Sequence, residues 1–181
     1  MLILIAIIAF PTLIIISYYN HRKSKGEIHN HWNTLIPSFE YSTKEFYKQL
    51  EELIKRTEVK GIKTKVVTEK EGNEFSASRL YLSVKWKEYH YYMCAAPFGE
   101  GLFISSWLYH KMRKREELIS VIPILGPALL KKFYPITMYR VDTASMYMTY
   151  CHNALTQVID EITKETGFRL REKDRYLSEA S

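Results

Sequence analysis

Cysteine is scarce in this sequence. Its two residues, Cys94 and Cys151, stand far apart and match neither a disulfide framework nor a C-x-x-C metal pattern. That scarcity argues against a disulfide-stapled scaffold and leaves two buried free thiols in a reducing compartment as the expectation. Catalytic patterns are equally thin: no Ser-His-Asp order, paired carboxylates or metal motif stands out. The Gly99-x-Gly101 pair lacks the third glycine, opening a helix, that a dinucleotide fingerprint needs; a strand comes next instead. His29 and His31 have H-x-H spacing but no third ligand nearby, so a polar linker explains them better than zinc. His90 and Cys94 on one strand would have Cα atoms about 13 Å apart, too far for a base and its nucleophile. Cys151 and His152 are neighbours on a helix and point in different directions, so packing is the better account of both. No catalytic residue, cofactor or metal ion is implied.

What is abundant is apolar sequence at the N-terminus. Leu2 to Tyr19 is a run of 18 residues without a formal charge. As an α-helix it would extend about 27 Å, close to the roughly 30 Å hydrocarbon core of a bilayer. Pro11 would kink such a helix without forbidding insertion. Tyr18 and Tyr19 fall where an interfacial aromatic belt belongs, and Arg22, Lys23 and Lys25 come after them. Basic residues come after the run and not before it, and no small-residue cleavage site is evident, which favours an uncleaved anchor over a signal peptide. Positive-inside logic places the N-terminus outside and the remainder in the cytoplasm, at an inner membrane crossed once. The expected organisation is an anchor over 1–20, a juxtamembrane linker over 21–40, an α+β domain over 41–168 and a charged, exposed tail over 169–181.

The net charge of +6 is concentrated. Lys111, Arg113, Lys114 and Arg115 form one cluster, and Lys131 and Lys132 close a later apolar run. Together with Tyr18, Tyr19, Arg22, Lys23 and Lys25 these are the expected contacts to an anionic leaflet, at about 1 kcal/mol per basic residue near the surface. Residues 118–130 are apolar but carry Pro123, Gly126 and Pro127, so they cannot form one regular helix. They suit either a second membrane contact or a buried crossover covering the sheet edge.

Periodicity supplies the domain. Ser42 and Glu45 form a capping box for a first helix reaching about Thr57, with Phe46, Tyr47, Leu50, Leu53 and Ile54 at helical spacing and Gly61 as the stop. Four strands are expected at 62–68, 78–86, 89–96 and 102–109, joined by Glu71-Gly72-Asn73, Lys87-Glu88 and residues 97–101. Links this short imply an antiparallel meander. Asp142 is expected to cap a long helix from Thr143 to about Thr166, with Gly167 beyond it. The fold expected is thus α+β: a transmembrane helix, then a four-stranded antiparallel sheet with two main helices on one face.

Tyr81, Tyr89, Tyr91, Tyr92, Trp107 and Tyr109 are dense enough to stack unpaired bases. Packing of one sheet face on the helices, with the other meeting protein or bilayer, is the stronger account, so nucleic acid ranks low as a partner. The expected ligand or partner surface is Tyr91, Phe98, Gly99, Gly101 and Trp107.

The stretch Cys94–Trp107, with Ile122–Pro127 and Tyr139–Thr143, resembles a group of uncharacterised bacterial membrane-associated proteins. The likeness covers most of residues 41–170. It implies a bacterial, membrane-associated protein and supplies no catalytic residues. The expected function is a single-pass, membrane-anchored binding or scaffold subunit, non-enzymatic, with lipid and a protein partner or a second copy as its contacts. Two rivals come from other classes. One is an enzyme acting on a lipid or membrane-proximal substrate at a pocket near residues 97–101. The other is a membrane effector of a defence or toxin system.

Overall fold

Apolar residues at every second position of three neighbouring segments line one side of a sheet, and two amphipathic helices cover that side. The computed structural model describes residues 27–57, 59–70, 78–120, 122 and 125–175. The strands are β1 (Glu27–Ile36), β2 (Lys63–Lys70), β3 (Ser78–Trp86), β4 (Tyr89–Phe98) and β5 (Gly101–His110). The helices are α1 (Thr43–Arg56), α2 (Lys114–Ser120), α3 (Gly126–Phe133) and α4 (Met138–Ile162), and a single turn, α5 (Glu172–Arg175), comes last.

The sheet has the order β1-β5-β4-β3-β2. β2 to β5 form the meander, with Val66 opposite Leu82, Leu82 opposite Met93 and Tyr91 opposite Leu108. Two-residue turns close two of its hairpins. Lys87, next to the Trp86–Tyr89 pair, takes φ +53°, and Gly99, next to the Phe98–Gly101 closing pair, takes φ +59°. A positive φ is what a tight hairpin needs to match strand twist.

The α+β class is right, but the expected fold needs correcting. The sheet has five strands, because residues 27–36 form β1 rather than part of a linker. Ile36 at the end of β1 lies against Gly101 at the start of β5, and His31 stacks on Trp107 further along, so the two strands run in opposite directions. The apolar connector, as expected, is not one regular helix: among its described residues, 118–120 end α2 and 126–130 lie in α3, the latter with Pro127 in its first turn, where a missing N–H costs nothing. Helix α4 begins at Met138, so Asp142 lies inside it and caps nothing. Thr137 does that work, its Oγ1 accepting from the Arg140 amide at 3.3 Å. The stretch after Gly167 is also less exposed than expected: Leu170 is buried, and the Arg175 guanidinium holds Asp160 at 2.8 and 2.9 Å.

No described element corresponds to the expected transmembrane helix. Its residues, with Tyr18, Tyr19, Arg22, Lys23 and Lys25, lie outside the described residues, as does the Glu71-Gly72-Asn73 turn. Among the described residues no helix is long and apolar enough to cross a membrane.

Two compact units divide the chain. In the larger, residues 28–110 and 143–181, Phe46, Leu50 and Ile54 of α1 and Tyr147, Cys151, Leu155, Val158 and Ile159 of α4 pack on the face formed by Leu82, Val84, Tyr91, Met93, Ile104 and Leu108. Each such aliphatic or phenyl side chain contributes about 1.5–3 kcal/mol by leaving water. Ser42 caps α1, accepting from the Glu45 amide at 3.5 Å. The smaller unit holds Lys111–Asp142. There α3 starts hard against α2: a Cβ on Gly126 would stand 2.6 Å from the Ile119 carbonyl oxygen, so only glycine fits. The Glu116 carboxylate is buried, accepting from the Arg113 amide at 3.2 Å and pairing with Arg140 at 3.6 Å.

Candidate functional site

The turn after β4 borders an open cleft of ≈ 440 Å³. Its walls are Phe39, Glu40, Tyr41 and Ser42 from the approach to α1, and Pro97, Gly99, Gly101 and Leu102 from the β4–β5 hairpin. The Phe39 and Tyr41 rings lie nearly parallel, 6.0 Å apart. The Phe39 amide donates to the Glu100 carbonyl at 3.0 Å, which ties the two walls together. Gly101 is required where it stands, since a Cβ there would lie 2.7 Å from the Ile36 carbonyl oxygen. Phe98, between Pro97 and Gly99 in the chain, is 66% exposed.

This lining has little to drive a reaction. Its carboxylate is Glu40, and its phenol, Tyr41, accepts from the Gln49 amide at 2.8 Å. The Ser42 hydroxyl serves the α1 cap. The thiols are elsewhere and unactivated: both are free and buried. Burial raises the Cys94 thiol, and it pushes Cys151 up to about 12. Among the described residues, no group of three metal-ligating side chains comes together.

The aromatic group separates by strand parity. Tyr89 and Tyr91 face the helices and are buried, and the Tyr91 hydroxyl donates to Ser106 Oγ at 2.9 Å. Tyr91 therefore has no surface to offer a partner. Tyr81, Tyr92, Trp107 and Tyr109 take the opposite parity and are half-buried. Tyr92 meets Tyr109 edge-on at 5.5 Å, and Trp107 stacks on His31 at 3.6 Å between centroids. Of the expected surface residues, the structure thus places Gly99 and Gly101 in the cleft wall, leaves Phe98 exposed on the same hairpin, and puts Tyr91 and Trp107 elsewhere.

The basic clusters sit on the smaller unit. Arg113, Lys114 and Arg115 are exposed around the start of α2 and Lys131 and Lys132 at the end of α3; Lys111 is half-buried. None of the described residues in 118–130 belongs to the core cluster, and Leu118 and Leu125 are 58% and 61% exposed. Sequence reasoning missed a second apolar surface on this unit. Phe133, Ile136, Met138, Tyr139 and Val141 are also exposed, and Met138, Ile136 and Tyr139 are the most exposed large apolar side chains among the described residues. The available signal was the absence of any acidic residue from Leu118 to Val141.

No protein-family model and no curated protein matches this chain. Among solved structures, the crystal structure of TTHA0849 from Thermus thermophilus is similar over 77% of this chain and 99% of its own, at 16% identity and a TM-score of 0.29. A likeness that remote bears on neither fold nor function. The chain is defined by its own architecture: an α+β body with a cleft at one hairpin, and a small helical unit that is basic and apolar at its surface.

Proposed function

We propose that this protein is a non-enzymatic binding module held at the cytoplasmic face of a membrane, where the hairpin cleft takes an apolar segment of a protein partner. The observation that carries the reading is the lining of the cleft. It offers parallel aromatic rings, a proline and a leucine, with the exposed Phe98 next to Pro97 and Gly99 in the chain, a surface that suits an apolar peptide. It offers no nucleophile paired with a base, which a catalytic pocket would need. The membrane part of the reading rests on the apolar run Leu2–Tyr19 with Arg22, Lys23 and Lys25 behind it.

Photo-crosslinking tests the cleft. With a photoreactive residue at position 98, membranes containing the full chain are expected to yield one discrete adduct, weakened by Phe39→Ala. The same residue at exposed position 164 should yield none. Turnover of a lipid by the purified chain, abolished by changes around the cleft, would instead support an enzyme and end the proposal.

A further inference from the structure

We infer that the α3–α4 corner, Lys131 to Val141, dips into the headgroup region of an anionic leaflet. The inference rests on membrane attachment as proposed above but concerns a separate part of the chain. Water-exposed apolar side chains crowd this corner: Phe133 is 61%, Ile136 84%, Met138 87%, Tyr139 74% and Val141 50% exposed. Scattered single apolar residues are ordinary on a protein surface, whereas five within nine positions call for a covering phase.

Charge decides which phase. From Leu118 to Val141 there is no acidic residue, and the only charges are Lys131, Lys132 and Arg140. Arg140 is engaged by Glu116, while Lys131 and Lys132 are exposed, with the Lys132 ammonium 5.9 Å from the centre of the Phe133 ring. Arg113, Lys114 and Arg115 add exposed positive charge on the same unit; Glu116 and Glu117 are buried there, and Asp142, one residue past the corner, is exposed. An apolar tip flanked by five exposed cations, Arg113, Lys114, Arg115, Lys131 and Lys132, against the single exposed acid Asp142 at its edge, is complementary to acyl chains beneath phosphates. A protein partner with an acidic rim would meet the same cations, but it would not require the tip to present Ile136 and Met138 so fully to solvent.

The backbone suits the role. Pro135 leaves the corner one amide short, and the Arg140 guanidinium reaches the Tyr134 carbonyl at 3.5 Å. Together with the Glu116 pair, this fixes the corner before any lipid arrives.

The test uses the full chain reconstituted with vesicles, carrying a polarity-sensitive fluorophore at Ile136→Cys; the native thiols are buried. With phosphatidylglycerol in the bilayer, the emission should shift to the blue and be quenched by brominated acyl chains. Added salt should reverse this, as should the Lys131→Glu/Lys132→Glu double variant. Phosphatidylcholine alone should give little quenching. If the chain floats with both kinds of vesicle while the probe stays wet and unquenched in both, the inference is wrong and attachment survives. Quenching that ignores lipid charge and salt also overturns it. If the chain floats with neither kind of vesicle, attachment itself fails.

Discussion

The Tyr47 hydroxyl stands in for a missing rung of the sheet, accepting from the Ala95 amide at 3.1 Å while donating to the Leu80 carbonyl at 2.7 Å. The β3–β4 ladder ends at Leu82 opposite Met93, and Leu80 and Ala95 would be the second pair beyond it in that register. Thr43 Oγ1 takes the Ala95 carbonyl as well, at 3.1 Å. One turn of α1 thus satisfies both backbone groups of a strand residue. Burial pushes the Tyr47 phenol upward, so it stays protonated and able to donate.

Tyr47→Phe should therefore cost about 1–3 kcal/mol, because it leaves the buried Ala95 N–H unpaired and takes a donor from the Leu80 carbonyl. Urea unfolding measures the loss, and amide exchange at Ala95 should quicken beyond that of its strand neighbours. A change below about 0.5 kcal/mol would mean that water replaces the hydroxyl there.

The two glycines of the β4–β5 turn should respond differently to alanine. At Gly101 the new methyl would meet the Ile36 backbone at 2.7 Å, so β1 and β5 must move apart, at about 1–3 kcal/mol. At Gly99 no atom stands within 4 Å, and only the φ of +59° opposes the change, at about 1–2 kcal/mol. Partner binding should weaken with Gly101→Ala beyond its effect on folding, since the cleft wall moves with the strands.

Stability should fall with acid through buried histidine. Burial holds His152 below its ordinary 6.5, opposed in part by the Arg175 carbonyl 2.9 Å from Nε2. The unfolded chain therefore binds the proton first as pH falls. The stabilisation is complete above 6.5 and is lost as pH drops below it toward the folded value. His31, also lowered by burial, adds in the same direction. His152→Gln, which keeps an N–H for that carbonyl, should flatten the stability profile between about pH 7 and pH 5. An unchanged slope would refute the assignment.

The smaller unit should depend on its buried carboxylate. Arg140→Ala leaves Glu116 with the Arg113 amide but without its cation, and should cost about 1.5–3 kcal/mol. Glu116→Gln with Arg140→Met should recover much of this, because neither charge then stays buried alone. Exchange at the amides of 114–120 reports it.

The meander and α1 were legible because each has a clean signal: alternation at Leu80, Leu82, Val84 and Trp86, and a capping box at Ser42 and Glu45. β1 was not, because its buried positions Asn30, Trp32 and Ile36 include a polar residue and a lone aromatic, which mimic a linker. The start of α4 was misplaced because Asp142 has the stronger capping propensity, whereas Pro135 and the Thr137 hydroxyl set the true start. The hairpin cleft could be suspected from Gly99 and Gly101, but Phe39 and Tyr41 join it only through the tertiary fold. The apolar surface at 133–141 had only the absence of acidic residues from Leu118 to Val141 as its signal, and periodicity does not separate exposed from buried apolar residues there.

Protease digestion of membrane vesicles is the most direct test of a module held at the cytoplasmic face. The full chain should stay with membranes through alkaline washing, and residues 28–175 should be cut in inverted vesicles but spared in right-side-out ones. Recovery of the chain in the wash, or digestion from the outer side, would contradict that placement.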